Sequence, residues 1–131
     1  MGAWGYRNFE NDYAADYVGD FQDLPGEALL LSALATVLEE EAVIESDVAG
    51  EALAAAEIIA AALGKPGPDL PADVQAAVTQ LDLGEDSELQ EMAQEAVEVI
   101  LAKSALRDSW EESGKLAGWQ AVQHDLLARL A

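Results

Sequence analysis

The chain has 131 residues, 51% of them hydrophobic, and no cysteine. That is the size of one domain with enough apolar material for a core, and it excludes disulfides, thiolate zinc sites and a cysteine nucleophile. Twenty-six acidic against 6 basic residues leave a net charge of −20, a field that disfavours nucleic acid and anionic lipid and favours a basic protein or a cation.

Residues 1–16 concentrate glycine, aromatics and carboxylates. Gly2 and Gly5 flank Trp4, and Phe9 and Tyr13 add apolar surface, so this opening segment is expected to be ordered and docked on the core. It carries no basic leader ahead of an apolar run, and Tyr6 stands where a myristoylation motif needs Ser or Thr; the expectation is a cytoplasmic protein. Nowhere do apolar and polar residues alternate as in a half-buried strand, whereas Ala, Leu and Glu recur at spacings of three and four, which predicts an all-α fold.

Asn8 or Asn11 caps the first predicted helix, with Tyr13, Tyr17 and Phe21 on one buried face. Asp23-Leu24-Pro25 opens a second, with Glu27 in its first turn and a stripe of Leu29, Leu30, Ala33, Leu34, Val37 and Leu38. A third starts at Ser46-Asp47 and stops at Gly64, with Pro66 beyond. Its apolar residues surround the axis, the pattern of a central helix covered by neighbours, and with Glu51 and Glu57 it is too short and too charged to span a membrane. Asp69-Leu70-Pro71 begins a short helix around Val74, Ala77, Val78 and Leu81. Ser87-Glu88-Leu89-Gln90 matches a capping box, after which a helical period from Leu89 towards Trp110 predicts the longest helix of the chain. Ser113-Gly114 interrupts it before a closing helix faced by Trp119, Val122, Leu126, Leu127 and Leu130. The whole, 1–131, reads as a compact single-domain bundle of about six helices.

Glu57 is the lone charge among a dozen apolar positions, so its carboxylate needs an internal partner. Arg107 is the favoured one, ahead of Lys103, His124, an indole N–H or backbone amides of the opening segment; a core ion pair outweighs a catalytic role. Asp12, Asp16 and Asp20 stack like charges at four-residue intervals and invite a cation, Arg7 or a basic partner, although a solvated face is the simpler reading. Glu39, Glu40, Glu41, Glu45, Asp47 and Glu51 form a second acidic patch suited to steering a basic surface. His124 has no second histidine or cysteine to share a metal, no Gly-x-Ser-x-Gly turn is present, and Trp110 and Trp119 read as packing anchors. Two functions compete: a non-enzymatic module that engages a basic protein through one of the acidic patches, and a carboxylate-lined pocket of Asp12, Asp16 and Glu57 that holds a divalent cation or a small cationic ligand and is open to catalysis. Neither requires a cofactor.

Met1-Gly2-Ala3-Trp4-Gly5, then Phe9, Asn11-Asp12, Ala14 and Asp16, resembles the opening of an uncharacterised bacterial domain-of-unknown-function family of small acidic proteins. Leu53 to Glu57 is similar to that family's central helix, and Leu106, Trp110 to Ser113, Trp119 and Leu126 to Leu130 to its closing pattern. Tyr6-Arg7-Asn8 stands where members carry a Gly-Thr-Gly type sequence. The resemblance implies a helical fold that includes the opening segment, with Trp4, Asn11, Asp12, Asp16, Glu57 and Trp110 as signature positions. It implies no activity. In charge and size alone the chain is also like immunity proteins that neutralise basic toxins.

Overall fold

The fold is taken from a computed structural model, which describes residues 7–9, 11–23, 26–79, 81 and 88–131. Trp4 with its flanking glycines, the Leu24-Pro25 helix opening and the Ser87 capping box lie outside the described residues. Among those described, the chain forms seven helices and no strand: α1 (Asp12–Asp23), α2 (Glu27–Glu39), α3 (Ser46–Ala62), α4 (Ala72–Val78), α5 (Leu89–Ala102), α6 (Ala105–Glu112) and α7 (Leu116–Leu130). None is long and apolar enough to cross a membrane.

α3 is the axis of the bundle and touches each of the other six helices. From Ala52 to Ala61 every residue is buried, because a run of alanines lets neighbours approach from all sides while Leu53, Ile58 and Ile59 fill the gaps. Gly64, at φ 87°, ends the helix in the left-handed region that glycine tolerates best. There the Lys65 N–H donates to the Ala60 carbonyl at 2.9 Å and the Gly64 N–H to the Ala61 carbonyl at 3.0 Å, the paired bonds of a Schellman stop. Gly114, at φ 77°, closes α6 the same way.

Three expectations need correction. Tyr17 and Phe21 are buried, but Tyr13 is 39% exposed and Ala14 takes the inward place, so the buried face runs Ala14, Tyr17, Phe21. Tyr13 lies instead along Gly50 of α3, where an added Cβ would come within 3.0 Å of the tyrosine Cβ. The predicted helix from Leu89 towards Trp110 is two, broken at Lys103 and Ser104, and α3, with 17 residues, is the longest of the seven described helices, a number in line with the expected bundle of about six. The cause is tertiary: the Ile44 N–H donates to the Lys103 carbonyl at 3.1 Å and the Ala105 N–H to the Ile44 carbonyl at 2.7 Å. Ser104 then caps α6 by accepting from the Arg107 N–H at 3.0 Å, while its hydroxyl donates to the Ile100 carbonyl at 2.8 Å.

Candidate functional site

Glu57 is only 1% exposed, as the sequence required, and its partner is Arg129 of α7. Arg129 Nη1 donates to Glu57 Oε1 at 2.7 Å and Nη2 to Oε2 at 3.2 Å, a two-pronged pairing that fixes the carboxylate plane. Asn8 Nδ2 adds a third donor to Oε2 at 2.8 Å. Asn8 in turn exchanges amide bonds with Gln123, giving to its Oε1 at 2.9 Å and receiving from its Nε2 at 2.8 Å. Asp125, one turn before Arg129, accepts from Nε at 2.9 Å. Burial pulls the Arg129 guanidinium down, but bonding to Glu57 and then Asp125 outweighs it and its pKa rises. Every buried side-chain nitrogen and oxygen among the described residues has a partner, so this network is a clasp that ties residues 7–9 and α7 to α3. Gly67 closes over it: an added Cβ there would sit 3.0 Å from Glu57 Oε1.

The favoured partner, Arg107, is placed elsewhere. It is on α6, where Nη1 meets Glu111 at 2.7 Å and Asp108 at 3.4 Å. Because the chain breaks at Ser104, the phase extrapolated from α5 does not hold beyond it, and Arg107 faces carboxylates of its own helix. Asn11 is the N-cap of α1, its Oδ1 accepting the Ala14 N–H at 2.8 Å. Trp110 is half-buried against the core, and His124 is exposed.

Asp12 and Asp16 are exposed, while Glu57 is enclosed and its carboxylate oxygens are engaged by Arg129 and Asn8. Among the described residues no group of three or more His, Cys, Asp or Glu is placed to hold a metal ion. What the fold does bring together are members of the two acidic patches, Asp16 and Asp20 of the first with Glu51 of the second. α1 packs on α3, with Tyr13 against Gly50, and Glu51 lies within electrostatic reach of Asp47, Asp20 and Asp16. Partial burial and then the charges of Asp47, Asp20 and Asp16 push the Glu51 carboxyl above its usual range. Glu39, Glu40, Glu41 and Glu45 are exposed along the α2–α3 connection, where Lys103 Nζ reaches backbone carbonyls, those of Glu40 and Glu41 at 3.4 and 3.1 Å.

The reason for the imbalance lies in the order of residues. From Asn8 to Gly64 there are thirteen carboxylates and no lysine or arginine, and only Glu57 among them receives an arginine from later in the described chain. Tyr17, buried under this surface, donates its hydroxyl to the Leu29 carbonyl at 3.1 Å. Burial, then Glu51 and Asp20, drive its pKa up.

Asn8 as a side-chain ligand, Gln123 and Arg129 were not singled out by the sequence reading. A signal for two of them exists: Gln123 and Arg129 fall on or beside the stripe of Trp119, Leu126 and Leu130, and a polar residue on an apolar stripe needs an internal partner.

A family model described as a domain of unknown function (DUF4259) matches residues 2–122. No curated protein and no solved structure matches the chain.

Proposed function

The chain belongs to that family, and since the family's description carries no activity, we propose from the chain's own surface that it is a non-enzymatic protein that binds a basic protein partner, in the manner of an immunity or inhibitor protein. The contact is the acidic surface of α1 and the start of α3, together with the carboxylates of the α2–α3 connection. The observation that carries this reading is the gathering of Asp16, Asp20, Asp47 and Glu51 on one surface with no cation among the described residues to offset them. A fold tolerates such self-repulsion most readily where a partner relieves it, and a concentrated field of one sign speeds encounter with the opposite sign. Absence of cysteine is in keeping with a cytoplasmic setting.

The test compares two variants of equal charge change. One converts Asp16, Asp20 and Glu51 to Asn, Asn and Gln; the other converts Glu91, Glu95 and Glu98, exposed on α5, to Gln. A basic protein recovered from the native host by the wild-type chain should be lost by the first variant and kept by the second, with wild-type association weakening steeply as salt rises. Equal loss in both, or salt-insensitive binding, refutes a localised acidic interface.

A further inference from the structure

The acidic face is not flat. Where α1, α2 and the start of α3 meet, a cleft of about 130 Å³ opens beneath it. Leu29 and Ala33 of α2 and Val48 of α3 form its apolar walls, all three half-buried against the core, and the exposed carboxylates Asp20 of α1 and Glu51 of α3 also line it. Tyr17 also lines it, with its hydroxyl already committed to the Leu29 carbonyl. No other described residue bonds or pairs with either carboxylate.

The cleft is on the scale of a side chain. Apolar walls under a carboxylate rim complement a side chain with an aliphatic stem and a cationic end, the division that lysine and arginine make when they lay the stem on apolar surface and keep the charge outside. We propose that this cleft is the anchor point of the interface, receiving one lysine or arginine side chain of the basic partner, its stem against Leu29, Ala33 and Val48 and its charge between Asp20 and Glu51. This assignment rests on the partner reading above and adds the kind of group recognised and the place that recognises it. The upward shift of the Glu51 carboxyl is in keeping with it, since a cation seated there would lower the repulsion that causes the shift.

Terminally blocked hexalysine and hexaarginine peptides serve as probes at low salt, with binding followed by titration and by backbone amide shifts. The cleft is filled without changing charge by Thr36→Phe, at an exposed lining position. Ala33→Leu is a second filler should the first disturb folding, which circular dichroism reports. Saturable binding of either peptide, with shifts centred on residues 29–36 and 48–51 and a roughly tenfold loss in the filled variants, is the expected result; the tighter peptide identifies the preferred cation. If the filled variants bind as the wild type does while Asp20→Asn and Glu51→Gln weaken binding, the cleft is overturned and the acidic interface stands. If neither peptide binds the wild type at all, the partner reading falls with it.

Discussion

Arg129 reaches Glu57 across 72 positions of sequence, and the pair is enclosed enough that its two halves cannot be removed singly without cost. Arg129→Met leaves a buried, uncompensated carboxylate and should lower stability by about 3–5 kcal/mol in urea unfolding, with Glu57→Gln/Arg129→Met recovering part of that loss. Arg107→Ala, which removes an exposed pair, should stay within about 0.5 kcal/mol. A loss at Arg107 equal to that at Arg129 would refute the assignment. Glu51 makes a prediction of opposite sign. Its folded pKa is raised, so folding favours the protonated form; the contribution to stability is full below the ordinary glutamate value of about 4.3 and is lost as pH rises through the folded value. Glu51→Gln should therefore raise Tm at neutral pH by about 2 °C, the worth of one or two exposed like-charge pairs, and the gain should vanish near pH 3.5; a drop in Tm at neutral pH would mean the carboxylate is held by a cation after all. At this scale the sequence made Glu57's burial legible, because a charge inside an all-round apolar helix has nowhere else to go. It did not make the partner legible: which arginine arrives depends on how α7 crosses α3, and no local pattern carries that angle.

The helices follow the same division. α3 and its stop at Gly64 could be read directly, since an apolar run ending in Gly, with Pro two residues on, states both the element and its end. The break between α5 and α6 could not. Ala102-Lys103-Ser104-Ala105 holds no glycine or proline, and the apolar period runs past it to Leu106. Only the backbone exchange with Ile44, some sixty residues earlier, separates the two helices. This gives a substitution whose sign distinguishes the two arrangements. In a continuous helix Ser104→Ala would stabilise by about 0.5 kcal/mol through propensity alone. With Ser104 as the N-cap of α6 it should instead cost about 1 kcal/mol, since both the bond from the Arg107 N–H and the one to the Ile100 carbonyl are lost. A shift of the thermal midpoint downward supports the observed break, and a shift upward contradicts it.

For the molecule as a whole, composition reports how much negative charge there is but not that the fold gathers it. In sequence the aspartates of α1 and the carboxylates Asp47 and Glu51 of α3 are separate clusters; packing of α1 on α3 brings them together, while the later helices carry the ion pairs of Arg107 and Arg129. Uneven repulsion of this kind has a signature that even charge does not. Monovalent salt shortens the reach of exposed charges from about 30 Å at 0.01 M to about 10 Å at 0.1 M and about 3 Å at 1 M. Several like-charge pairs of about 0.2–0.5 kcal/mol each then relax together, and sodium chloride added from about 0.02 to about 0.5 M should raise Tm by about 4 °C. Most of that rise should disappear when Asp16, Asp20 and Glu51 are neutralised, and most should survive when Glu91, Glu95 and Glu98 are. Equal flattening by the two sets would mean that the repulsion is spread over the whole surface and that the face formed by α1 and α3 holds no special excess for a partner to relieve.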